Sequence, residues 1–219
     1  MAPRIVDREK KSRRIVEQAM FVFARRGYNT TTMEAIAEQA GIGKGTLYEY
    51  FQSKQDLFLA CFETYIDQYF ETIEAQTGAA GNGSASEQLR RATHAAFAFA
   101  DHVEELFPLT FEFWAASASS RMRGRIMDMF RGMYAQARRL LGAIIQRGIE
   151  EGEFDANIHV ASVTAVLVGS FDGLFLQAWF DPNMNPLRAG TAFIDVVIRG
   201  LETCNRQTEK KILAGGNHA

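Results

Sequence analysis

The sequence predicts an all-α chain, with an N-terminal three-helix head built around a helix-turn-helix and a larger helical bundle behind it. Three observations predict it. Apolar residues recur at helical spacing along most of the chain, and no convincing alternating strand pattern interrupts them. Glycine, threonine, serine and proline residues fall where helices of that spacing would stop and start. Charge is divided unequally: residues 1–60 carry ten Lys/Arg against seven Asp/Glu, and residues 61–219 carry fourteen against nineteen.

The first helix is expected over about 8–26, where Ile15, Val16, Ala19, Met20, Phe23 and Ala24 form one apolar stripe. Gly27 stands where a left-handed terminating residue belongs. The run Thr30-Thr31-Thr32 offers an N-cap for a short second helix to about Ala40, and Gly41 ends it. If Thr31 is the cap, Glu34 completes a capping box. A third short helix runs from about Gly43 to Phe51. Ser53, with Asp56 three residues on, opens a fourth that persists to about Ala75. The stretch 76–86, QTGAAGNGSAS, reads as the one clear flexible loop. Further helices are expected at about 86–101, 103–117, 119–150, 156–180 and 186–204, the last begun by Pro186 behind Asn185. A frayed tail is expected over 207–219.

With 219 residues, 47% of them apolar and 23% charged, the chain has the composition of a soluble globular protein. A net charge of −2 does not by itself point to nucleic acid. The first fourteen residues hold six basic side chains against two acidic ones. A basic head on an acidic body suits a protein that places one end on a polyanion, although a solvated arm would show the same charge. Cys61 and Cys204 lie far apart and support neither a disulfide framework nor a zinc site, so a reducing cytoplasm is expected. His94, His102 and His159 make no metal constellation. The N-terminal run lacks the apolar stretch of a secretory signal. Residues 160–180 are long and apolar enough to be weighed as a membrane span. Asp172, Gln177 and two glycines there, with no basic flank, favour a helix buried on nearly all sides by protein.

The informative segment is residues 31–54, TTMEAIAEQAGIGKGTLYEYFQSK. Ile36, Ala37 and Ala40 line the inner face of one helix, and Leu47 and Phe51, spaced i and i+4, line that of the next. Ala37 and Gly41 are small enough for the two helices to cross closely, which is the plan of a helix-turn-helix. Lys44, Gly45, Thr46, Tyr48, Glu49 and Tyr50 must then face outward, a cation, hydroxyl and phenol surface suited to a major groove. Thr31 or Thr32 at one helix start, and Lys54 near the next, are placed to hold phosphates. Singly, each has a plainer reading, since threonines cap, tyrosines half-bury and lysines solvate. Their combination at this spacing carries the weight.

The run FARRGYNTTTMEAIAEQAGIGKGTLYEYFQSKQDLF resembles the N-terminal signature of the TetR/AcrR family of transcriptional repressors. It covers roughly the first quarter of the chain. By that resemblance Lys44, Gly45, Thr46, Tyr48 and Tyr50 stand at recognition-helix contact positions. Tyr48 and Lys54 stand at the usual phosphate contacts, and Thr32 at the start of the second helix. Glu49 falls at a variable position, and Arg4 to Arg14 resembles the arm with which some members reinforce their grip. The resemblance implies double-stranded operator DNA as partner and a division into residues 1–52, which bind DNA, and 53–206, which bind an effector and dimerise.

Most of the phenylalanines and both tryptophans lie beyond residue 55. Tyr65, Phe97, Phe111, Trp114 and Phe175 are the candidate effector contacts. Plain core packing is the better reading of any one alone, and the resemblance raises the pocket reading. Such a lining implies a small apolar or aromatic effector. No cofactor is expected. Dimerisation is expected through the last two helices, with Ser162, Val166, Gly169, Ser170 and Gly173 on one and Ala192, Phe193, Val196, Val197, Gly200 and Leu201 on the other. Asp172 is either an interface residue or a pocket anchor. A two-fold dimer would meet successive major grooves about 34–36 Å apart, so the operator should be near-palindromic. No nucleophile elbow, phosphate loop, paired metal-ligand motif or Ser/Cys–His arrangement supports an enzyme. The rival reading is a helical ligand-binding or scaffold protein that does not bind DNA specifically.

Overall fold

The computed structural model describes the backbone of residues 3–77, 83–102, 106–119 and 121–215, and the side chains of these apart from 3–7, 100–102, 107, 119 and 203–215. Among the described residues all regular structure is helical, without a strand. The helices are α1 (Pro3–Thr30), α2 (Met33–Gln39), α3 (Lys44–Tyr50), α4 (Lys54–Thr77), α5 (Ala85–His102), α6 (Phe107–Ser119), α7 (Arg123–Glu150), α8 (Val160–Phe180) and α9 (Pro186–Gly215).

Two compact units result: Met1–Phe70 with Ala100–Arg131, and Glu71–Phe99 with Gly132–Ala219. In the first, α1 packs on α2 and α6, and α2 packs on α3. The expected α1 stripe is buried: Ile15, Val16, Ala19, Met20 and Phe23 join Ile36, Leu47, Phe58, Phe62 and Phe113 in one core. Gly27 has the expected positive φ of 74°, but its ψ of 161° is extended rather than left-handed helical. The chain breaks there, and Tyr28 to Thr30 form a separate turn merged with the helix.

The short helices end as their residues dictate. Gly41 sits at φ 66° one residue past the C-cap of α2. There its N–H donates to Glu38 O (3.1 Å), and the Ile42 N–H to Ala37 O (3.0 Å), which is the Schellman pattern. At the other end the cap is Thr32, whose hydroxyl accepts from the Ala35 N–H at 3.2 Å. The cap therefore falls one residue later than expected, and with Ala35 at the third helical position it cannot be completed to the capping box expected between Thr31 and Glu34. Ser53 opens α4 as expected: its hydroxyl accepts the Asp56 N–H (3.1 Å) and donates to the Asp56 carboxylate (2.7 Å).

In the second unit α8 packs on α9. Here α8 departs from expectation, because only 22% of its most apolar stretch is buried within the chain. Thr164, Leu167, Val168 and Phe171 face inward, while Val166, Trp179 and Phe180 lie open to solvent. The helix is long and apolar enough to cross a membrane, but by length and composition alone. The last helix continues to Gly215, past the point where fraying is expected. No proline or glycine interrupts residues 201–213, and glutamate, lysine, arginine and glutamine sustain a helix well.

Candidate nucleic-acid interface

The inner and outer faces of α3 separate as the spacing requires. Leu47 is wholly buried and Phe51 nearly so, both in the head core. Lys44, Gly45 and Glu49 are exposed, Tyr48 is 43% exposed, and Thr46 and Tyr50 are half-buried. A Cβ built on Gly45 would meet no heavy atom within 4 Å, so nothing inside the head requires glycine there.

Two charged clusters flank that outer face. At its start, the Lys44 ammonium donates to the Glu34 carboxylate across the turn and lies 6.0 Å from the Tyr48 ring centroid. The hydrogen bond and charge of Glu34 raise the Lys44 pKa, and the Lys44 hydrogen bond is the main cause holding Glu34 below the ordinary carboxylate range. At its end, Arg8 and Lys11 approach the Tyr50 ring at 5.6 and 5.8 Å, and Arg8 donates to Glu49 O at 3.3 Å. The basic N-terminal run is thus part of α1 rather than a separate arm, and it brings two cations beside the C-terminal end of α3. Arg4 falls among the side chains outside the described residues.

Two of the expected phosphate contacts are otherwise engaged. Thr31 is only 1% exposed and its hydroxyl donates to Gly27 O at 2.7 Å. Lys54 directs its ammonium at Tyr28 O (2.7 Å), Thr31 O (2.8 Å) and Asn29 O (3.4 Å), and lies 4.4 Å from the Tyr28 ring centroid. An ammonium has three protons, and here carbonyls face all of them. Burial lowers the Lys54 pKa accordingly. Both residues shape the α1–α2 corner instead of presenting a free donor. The corner is held from a second side by Glu112 of α6, which accepts the Tyr28 N–H at 2.9 Å. Sequence reasoning singled out the run holding Arg8 and Lys11 but missed Glu34 and Glu112 as participants, because each acts on a partner at least ten residues away.

The candidate effector contacts fall in two groups. In the first unit Tyr65 lies 6.5 Å from Phe113 and shares a side-chain hydrogen bond with Thr110, while Phe111 and Trp114 meet edge to face at 5.7 Å. Burial raises the Tyr65 pKa. In the second unit Phe97 is fully buried against Phe171 (5.2 Å), Phe175 (4.9 Å) and the backbone of Gly190, where a Cβ would collide with its ring. Asp172 accepts a hydrogen bond from the Tyr134 hydroxyl at 2.9 Å, and burial raises the Asp172 pKa. Of the expected dimer residues, Ser162, Val166, Gly169, Ala192, Val196 and Gly200 are exposed, whereas Leu201 is buried within the chain. The described residues bring no three metal-ligating side chains together.

Comparison with known proteins gives two family matches. The model for bacterial regulatory proteins of the tetR family matches residues 15–61, and that for the C-terminal region of BetI-type transcriptional repressors matches residues 85–201. The HTH-type transcriptional regulator YfiR of Bacillus subtilis (strain 168) is 26% identical over 188 residues, covering 83% of this chain and 87% of that protein. The regulator FadR from Bacillus subtilis, solved in complex with stearoyl-CoA, has a TM-score of 0.71 at 23% identity, covering 85% of this chain and 97% of that one. A transcriptional regulator from Saccharomonospora viridis, solved with choline, has a TM-score of 0.74 at 21% identity, covering 87% and 96%.

Proposed function

The chain belongs to the TetR family of bacterial regulatory proteins, and from that premise we propose that it is a cytoplasmic, homodimeric repressor released from a near-palindromic operator by a small apolar or aromatic effector. One observation carries the DNA-binding half of this reading: α3 buries Leu47 and Phe51 while turning Lys44, Gly45, Thr46, Tyr48 and Tyr50 outward. A major groove admits one such helix, and these groups can meet base edges and phosphates. Thr32, exposed at the start of α2, adds a phosphate contact; Thr31 and Lys54 hold the corner that aims it.

Residues 1–52 are the DNA-binding part in this reading, and 53–206 bind effector and partner. The exposed apolar face of α8, with Val166, Trp179 and Phe180, and Val196 on α9, supports a dimer closed by these helices from two copies. The group on α4 and α6, Tyr65, Phe111 and Trp114, supports an apolar or aromatic effector. Its neighbour Glu112 is bonded to the Tyr28 N–H of the head, so a shift of α6 would be felt at the α1–α2 corner. Within the second unit Phe175 packs against Phe97. The effector works only by its different affinity for the two head arrangements.

The test is operator selection from a random duplex pool with the full chain, followed by binding of Lys44→Ala and Tyr48→Ala. Each substitution should weaken operator binding by roughly 5- to 100-fold, as expected of a lost base or phosphate contact, with the fold and dimer intact. Retained affinity in both would remove α3 from the interface.

A further inference from the structure

Glu34 and Lys44 lie ten residues apart in sequence, yet their side chains meet beside α3, the Lys44 ammonium donating to the Glu34 carboxylate. Both are more than half exposed, at 57% and 53%, so the pair adds little to folding. Its location is what matters. It stands on the outward face next to Tyr48. The Glu34 carboxylate therefore occupies a cation assigned above to DNA.

We propose that Glu34 is a specificity-determining residue of the DNA interface, holding Lys44 back from the phosphates of arbitrary duplex and releasing it only where base edges complement the face. The inference rests on the DNA-binding reading above. A lysine that neutralises a phosphate displaces condensed counterions, and this is the source of sequence-independent affinity. Lys44 paired with Glu34 displaces fewer, and the carboxylate itself repels the backbone. At the operator the same carboxylate can accept from a cytosine amino group, which random sequence offers in register only by chance. Glu34 thus weakens binding to random duplex, whereas at the operator the base contact offsets that loss.

The experiment measures affinity for a random duplex and for the selected operator across a salt series, using the full chain, Glu34→Gln, Glu34→Ala and Glu34→Gln/Lys44→Ala. Either substitution at Glu34 should tighten random-duplex binding about 3- to 10-fold at roughly 0.1 M salt. The log–log salt slope should steepen by about one contact, and the operator-to-random ratio should fall. Adding Lys44→Ala should cancel the gain. Unchanged random-duplex affinity and slope in both Glu34 variants would overturn the inference, as would equal weakening on both duplexes. Absence of salt-dependent binding by the unsubstituted chain would instead remove the DNA-binding reading, and this inference with it.

Discussion

At position 45 glycine costs α3 about 1 kcal/mol of helix propensity relative to alanine, and no packing inside the head asks for it, since a Cβ there would meet nothing within 4 Å. In the proposed reading the missing side chain allows close approach of a DNA backbone. Gly45→Ala should therefore stabilise the head by about 0.5–1 kcal/mol in denaturant unfolding while weakening operator binding. Tighter or unaltered binding would show that no close approach occurs there. Residues of this kind were legible in the sequence, because Leu47 and Phe51 at helical spacing define an inner face and leave the outer one by exclusion. Thr31 and Lys54 were not. Their hydroxyl and ammonium turn to carbonyls of Gly27, Tyr28 and Thr31, and these become available only because the chain breaks at Gly27. No local pattern announces that break as extended rather than helical.

Among the elements, α5 shows how a helix start can hide inside a loop-like stretch. Ser84 and Glu87 form a reciprocal capping box, the Ser84 N–H donating to the Glu87 carboxylate (3.1 Å) and the Glu87 N–H to the Ser84 hydroxyl (3.2 Å). The Ser-x-x-Glu signature is present in the sequence but lies at the end of a glycine-rich run that reads as flexible. A second anchor was not legible at all. Glu153, beyond the end of α7, accepts the Ala85 and Ser86 N–H groups at 2.7 and 2.9 Å. Burial opposes its charge, but these hydrogen bonds outweigh burial and leave its pKa below the ordinary glutamate value. A depressed carboxylate stabilises the fold above the ordinary glutamate range and loses that effect as pH falls through its folded value. Glu153→Gln should cost about 1 kcal/mol near neutral pH, the common worth of a helix cap. The difference from the unsubstituted chain should shrink to nothing under acid conditions. A difference independent of pH would mean that the carboxylate's charge plays no part.

For the whole molecule, α8 marks the limit of reasoning from one chain. Its apolar length reads as a buried helix, and one chain buries only its inner side, leaving Val166, Trp179 and Phe180 uncovered. Closure of that face by a second copy would reconcile the sequence pattern with the exposure and pair the two heads about a two-fold axis. In the proposed reading, two-fold heads and a near-palindromic operator both depend on the outward α3 entering DNA. Amide hydrogen exchange of the full chain, with and without its selected operator duplex, addresses that dependence directly. The account predicts slowed exchange over residues 31–51, strongest in α3. Protection confined to other helices, with α3 exchanging as fast as in the free protein, would contradict it.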